Sequence, residues 1–198
     1  MAVKIFSSRD ERSWLRERHI YEEVLTRHEN VLCYYASDMT SNQSCTQMWL
    51  ITQYHENGSL YDYLQDHVVE PLELLRLAYS ASSGLAYLHT EIVGAQDKLA
   101  VAHRDVKSKN ILIMDNGNCC IADMGLAVTF SSDKEIINLG DNPKVGTKRY
   151  MAPEVLTEQF NASNFESFRK MDVYSFGLVL WEIARRCKTE RKLHLLPI

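Results

Sequence analysis

Two rhythms of apolar residues run along this chain, short strand-like runs at its start and helical spacings further on. Ala2-Val3-Lys4-Ile5-Phe6 reads as a strand, so close behind Met1 that no partner strand fits before it. "SSRDERSWLRERHIYEEVL" opens with serines able to cap a helix and sets Trp14, Tyr21, Val24 and Leu25 among charges, which predicts an amphipathic helix. "NVLCYYAS" and "TQMWLITQY" predict a strand pair, with the polar "DMTSNQSC" as a long loop between them. "HENGSLYDYLQ" supplies an Asn-Gly break and then a short helix.

Between Pro71 and Thr90, Leu74, Ala78, Ala81, Leu85 and Leu88 recur at spacings of four, three, four and three, the buried face of a long helix with Pro71 in its first turn. "ILIMDNGNCCIAD" predicts a hairpin turning at residues 115–118, which sets Asn110 just before one strand and Asp123 just after the other. Periodicity then fails over "VTFSSDKEIINLGDNPKVGTKRY", a stretch too long for an ordinary connection and therefore expected to be a functional or mobile loop. Val173, Phe176, Leu180 and Ile183 restore a helical period. The order is strand, helix, strands, then mostly helix.

Composition narrows the class. With 198 residues and 45% hydrophobic content the chain can bury a core as one domain or two small ones. A net charge of -4 and a pI near 6.0 argue against a nucleic-acid binder. The five cysteines are odd in number and lack CxxC spacing, so neither a disulfide framework nor a zinc site is indicated, and a reducing setting fits. No apolar run reaches membrane-spanning length, and Lys4, Arg9, Asp10 and Glu11 interrupt any signal-peptide core.

The chemistry concentrates in "VAHRDVKSKNILI", residues 101–113, where an acid, an amide and several cations crowd a few polar positions. Alone, its central "HRDVKSKN", residues 103–110, also reads as a solvated charged turn. It stands, however, in an ordered set: Lys4 in "AVKIF", Glu17 in the first helix, Asp105, Lys107 and Asn110 here, Asp123 in "ADMG", and "GTKRYMAPE" at 146–154. That set resembles a eukaryotic protein kinase. The implied fold class is α+β, a two-lobed protein kinase fold. Residues 1–54 would form part of the smaller lobe, 55–187 part of the larger, and 188–198 a divergent tail.

The resemblance implies roles, and the chemistry of phosphoryl transfer explains the residue types, since charge neutralisation and alignment matter more there than a covalent partner. Lys4 would hold the α- and β-phosphates of ATP, paired with Glu17. Asp105 would accept the substrate hydroxyl's proton, with Lys107 steadying the transferred phosphate. Asn110 and Asp123 would ligate Mg2+ or Mn2+ through hard oxygens. Thr52 would be the gatekeeper, and Gln53, Tyr54 and His55 would offer backbone groups to adenine. His103 would support the loop, and Arg104 would be the cation that pairs with an activation-loop phosphate. Met124 stands where most kinases carry Phe, and an unbranched apolar side chain can still pack behind Asp123.

Longer stretches, among them "LRERHIYEEVLTRHENVL", "WLITQYHENGSLYDYLQ" and "NPKVGTKRYMAPEVL", look like type I receptors of the TGF-β superfamily, and "ASDMTSNQSCTQMWLIT" is similar to the activin type I branch that signals for bone morphogenetic proteins. This implies a receptor serine/threonine kinase acting on receptor-regulated Smad proteins, with residues 38–46 selecting the Smad. It further implies a type II receptor partner and a place at the cytoplasmic face of the plasma membrane through the parent's membrane helix. The Gly-rich loop expected before Lys4 and the later helices of the large lobe are missing from the pattern. A truncated, catalytically inactive interaction module is therefore the alternative, and the chain is expected to fold poorly and turn over ATP weakly.

Overall fold

A computed structural model describes residues 1–42, 45–94, 97–139 and 146–188. Strands β1 (Ala2–Ser7), β2 (Tyr34–Asn42) and β3 (Cys45–Thr52) form an antiparallel sheet in the order β1-β3-β2. Lys4 lies opposite Leu50 on β3. Because successive side chains alternate faces, Phe6 is buried while Val3 and Ile5 are exposed. Helix α1 (Glu11–His19) packs beside this sheet through Trp14, whose indole N–H donates to the Trp49 carbonyl at 3.1 Å. The helix passes into a π-helical turn, Ile20–Val24, that buries Ile20, Tyr21 and Val24.

The expected long loop over residues 38–46 is instead paired strand: Asp38 faces Trp49, Met39 faces Met48 and Asn42 faces Cys45. The side chains of residues 38–41 are exposed, so no core imposes apolar alternation on them. Residues 43–44 lie outside the described residues.

Helix α2 (Leu60–Asp66) starts at Ser59, whose Oγ accepts the Asp62 N–H at 3.2 Å. Helix α3 (Pro71–His89) opens on a capping box between Glu70 and Glu73. Its buried line is Leu77, Ala81, Leu85 and Leu88, whereas Leu72, Leu75 and Tyr79 face outward and Leu74 and Ala78 are half-buried. The expected burial therefore holds for the second half of the helix only. Gly84 is required within it, because a Cβ there would stand 2.3 Å from the Asn30 carbonyl oxygen.

Three short strand pairings follow. β5 (Ile111–Ile113) and β6 (Cys119–Ile121) form the expected hairpin, with Gly117 at φ 79° in its turn. β4 (Ala100–Ala102) pairs with β7 (Val128–Ser131), which pairs with β8 (Ile136–Asn138). The first half of the stretch read as an aperiodic loop is therefore a hairpin added to β4, too short for its alternation to register in sequence. Residues 140–145 lie outside the described residues.

After α4 (Pro153–Leu156), helix α5 (Phe165–Arg185) begins well before Val173. Phe168, Phe176, Val179 and Ile183 are buried on it, while Val173 is 58% and Trp181 49% exposed. The period proposed from sequence thus mixes two faces. A single apolar cluster nevertheless joins Phe6, Trp14 and Leu50 of the sheet region to Leu77, Leu88, Met124 and Val179 below it. The mixture of three small sheets and five α-helices among the described residues is the α+β class that the sequence implies.

Candidate active site

Two clusters of polar side chains meet between the sheet and the helices. In the first, Lys4 Nζ on β1 stands 2.8 Å from Glu17 Oε2 on α1 and 3.1 Å from Asp123 Oδ1 beyond β6. Burial works to raise the Asp123 carboxyl pKa, but the attraction and hydrogen bond of Lys4 outweigh it and hold it below the ordinary value. Burial raises the Glu17 pKa, with Lys4 opposing that shift in part. Burial also lowers the Lys4 pKa, yet Glu17 and Asp123 together leave it raised. The ammonium is therefore charged at neutral pH and aligned by two carboxylates.

In the second cluster, Asp105 is engaged on both oxygens. Oδ2 accepts from Lys107 Nζ at 2.6 Å and from Asn110 Nδ2 at 3.1 Å, while Oδ1 accepts the N–H and the hydroxyl of Thr147 at 2.8 and 2.7 Å. Lys107 also donates to Thr147 Oγ1 at 2.9 Å. Gly146 sits at φ 119°, and a Cβ there would be 2.7 Å from the Arg104 carbonyl oxygen, so glycine lets the Thr147 segment approach the loop.

His103 connects the clusters. Its Nδ1 lies 3.2 Å from the Asp105 N–H and its Nε2 2.9 Å from the Ala122 carbonyl, so the tautomer that satisfies both carries its proton on Nε2. Below the loop the buried Asp172 of α5 accepts the His103 N–H at 2.7 Å and the Arg104 N–H at 2.8 Å, and its Oδ2 also meets His89 Nε2 at 2.9 Å. These bonds keep Arg104 at φ 68°, a left-handed conformation that costs a non-glycine residue on the order of 1 kcal/mol. Asp123 has the same conformation at φ 69°.

Arg16 of α1 donates to the carbonyls of Ala127 and Asn138 at 2.7 and 2.5 Å, and Arg104 Nη1 donates to the next carbonyl, Leu139, at 3.2 Å. Met124 is fully buried in the main core behind Asp123. Thr52 is buried at the end of β3, and Gln53 and Tyr54 are exposed. The Gln53 N–H is taken by the Cys33 carbonyl at 2.9 Å, so of that residue's backbone only the carbonyl remains for a ligand. His55 turns its ring inward, with Nε2 3.6 Å from Cys120 Sγ.

The metal question can be posed on this donor set. Among the described residues no group of three or more His, Cys, Asp or Glu side chains could enclose an ion. Asn110 uses its Nδ2 on Asp105, which leaves Oδ1 as a hard acceptor, and Asp123 adds a carboxylate. Two oxygens with an open remainder suit Mg2+, which keeps waters and takes phosphate ligands. Thr147, Asp172 and Arg16 were not singled out from sequence as parts of this site. For Thr147 a signal existed, a hydroxyl inside "GTKRY", whereas nothing local marks Arg16.

A lysine–glutamate–aspartate bridge beside an Asp-Lys-Asn loop defines a class, and comparison agrees: a protein kinase domain pattern matches residues 1–192, and the chain belongs to the protein kinase family. Within that family it is similar to activin type I receptors. It is 62% identical over 186 residues to the activin receptor type-1-like proteins of Rattus norvegicus and Homo sapiens, and 60% to activin receptor type-1 of Gallus gallus. Each match covers 94% of this chain, which spans 37% of the length of those relatives. Among the described residues no helix is long and apolar enough to cross a membrane.

Proposed function

We propose that the chain forms the core of a serine/threonine protein kinase site, with 1–54 and 55–187 as parts of its two lobes. The observation that carries this reading is the adjacency of the Lys4–Glu17–Asp123 bridge and the Asp105–Lys107–Asn110–Thr147 cluster, joined through His103. ATP would supply the γ-phosphoryl group, and Mg2+ or Mn2+ would neutralise its oxygens. Lys4, oriented by Glu17, would donate to phosphate oxygens, while Asn110 Oδ1 and Asp123 would hold the metal. Thr52 and the backbone of Gln53, Tyr54 and His55 would border the base.

Asp105 aligns the substrate hydroxyl and accepts its proton, and Lys107 lies beside it to meet the developing charge. A carboxylate offers about four acceptor positions. All four are filled here, by Lys107, Asn110 and two donors of Thr147. A substrate hydroxyl must therefore displace one of them, and the donors able to yield while keeping another acceptor are Lys107, which also donates to Thr147 Oγ1, and Asn110, whose Nδ2 also donates to the Asp105 carbonyl.

The substrates follow from the branch: serines of receptor-regulated Smad proteins, selected by the ribbon at 38–46, with a type II receptor as upstream partner at the cytoplasmic face of the plasma membrane. The test is a melting curve with ATP and magnesium, with Lys4→Arg as control, followed by phosphate transfer to a Smad C-terminal peptide. A saturable upward shift lost in the variant, together with transfer to serine, is expected. Absence of any shift would overturn the nucleotide reading. A shift without transfer would favour the non-catalytic interaction module.

A further inference from the structure

Lys98 is a buried amine that the mechanism above does not use. It is 1% exposed, and among the described residues no carboxylate forms an ion pair with it. Its Nζ instead donates to three carbonyls, Leu88 at 3.0 Å, Thr90 at 2.7 Å and Leu99 at 3.0 Å, and lies 4.7 Å from the centre of the Tyr87 ring. The charged groups that act on it or feel it are Glu91, beyond the end of α3, and His28, stacked on Tyr87.

The placement is specific. The last carbonyls of a helix have no N–H partner within it, and the negative end of the helix dipole favours a cation there. The Ala86 carbonyl of α3 is met by the Thr90 N–H at 3.0 Å, while that of Leu88 is met by Lys98. Leu88 and Thr90 flank His89, whose ring contacts Asp172. Lys98 is also tied by its own backbone, through paired bonds with Ile92 at 2.9 Å, and stands two residues before β4, the strand that leads into His103. One ammonium thus joins the end of α3 to the entry of the Asp105 loop.

We propose that Lys98 is a positioning residue for that loop: by clamping the carbonyls on either side of His89 it keeps the imidazole against Asp172, which in turn holds the backbone of His103 and Arg104 ahead of Asp105. The proposal rests on the phosphotransfer reading for its kinetic consequence but not for its structural one.

The experiment compares the wild-type chain with Lys98→Met, which fills the same space without donors, and Lys98→Arg, which restores a cation. Turnover and amide hydrogen exchange at His103 and Arg104 are read well below the melting temperature. Lys98→Met is expected to lower kcat by about tenfold or more with KM for ATP within about twofold, and to speed exchange at both amides; Lys98→Arg should recover most of both. A lower melting temperature with kcat and exchange unchanged would overturn the proposal. If Lys98→Met does not fold, Lys98→Gln, which keeps a neutral donor, is read by the same split. If the wild-type chain turns over no ATP, the phosphotransfer reading fails, and exchange at His103 and Arg104 alone decides the role of Lys98.

Discussion

The two halves of the candidate site are held by different physics. Lys4, Glu17 and Asp123 come from a strand, a helix and a loop, and meet through side-chain charge, with Lys4 and Asp123 each 43% exposed at the side chain around a buried Glu17 that the Met124 backbone also bonds. Asp105 instead sits on a loop whose backbone amides are fixed by a buried carboxylate, Asp172, 1% exposed. In an assembly of the first kind the two exposed arms can part from the buried carboxylate without unfolding anything. One of the second kind is continuous with the core, so its geometry and the stability of the fold cannot be separated.

Substitutions should divide along this line. The largest effect is expected from Asp105→Asn, which removes the proton acceptor and should lower phosphate transfer by roughly 10²–10⁴-fold, measured on a serine peptide, and should lower the unfolding midpoint too, because the new amide NH2 faces only donors. Asp172→Ala should cost about 3–5 kcal/mol in denaturant unfolding, because two buried N–H groups and His89 lose their acceptor together. If it instead left stability unchanged, the claim that the loop and the core are one unit would fail.

Glu17→Gln tests the other half: Lys4 keeps Asp123, but the buried charge-assisted bond is lost, so stability should fall by about 1.5–3 kcal/mol while the melting shift with ATP and magnesium shrinks. Thr147→Val removes the hydroxyl between Asp105 and Lys107 and should cost about 0.5–1.5 kcal/mol, read from the unfolding midpoint.

The smallest effect near neutrality is alkaline. Burial pushes the Cys119 and Cys120 thiols up to about 12 from 9.0, and burial with the Glu182 hydrogen bond pushes Tyr150 to about 12 from 10.0. The folded state therefore holds these protons more tightly than the unfolded chain. Their contribution is complete below pH 9 and is lost as the pH rises toward 12, so stability measured across that window should fall, and Cys120→Ser should flatten the fall.

Legibility in the sequence followed the range of the forces. Lys4, Glu17, Asp105, Lys107, Asn110 and Asp123 were legible because each sits in a short motif of fixed chemistry, and the structure brings Lys4, Glu17 and Asp123 together and groups Asp105, Lys107 and Asn110 beside them. The helices α1, α3 and α5 were legible as helices because each turns one face to a core. The strand over residues 38–41 was not, since all four of its side chains are exposed and no buried face imposes alternation. The β7–β8 hairpin has strands of four and three residues, below the length at which a period of two is visible. Arg16 and Asp172 act on backbone atoms far away in sequence, and a carbonyl or an N–H has no letter of its own. The spacing on α5 that pairs Val173 with Phe176 and Leu180 showed a further limit: a helix with apolar residues on more than one face offers several self-consistent stripes, and only its neighbours decide which is buried.

The carbonyls of Asn138 and Leu139 bring a consequence for motion. Arg16 grips one from helix α1, and Arg104 grips the next from the loop before Asp105. Two arginines rooted in different parts of the molecule thus share one handhold on consecutive peptide units. When that short length of chain lifts away, both grips on it go slack in a single event, while Arg16 keeps Ala127 and the Arg104 backbone keeps Asp172. The kinetics of opening should then be recorded in duplicate, as one common rate in the guanidinium protons of Arg16 and of Arg104, although 88 positions separate them in the chain.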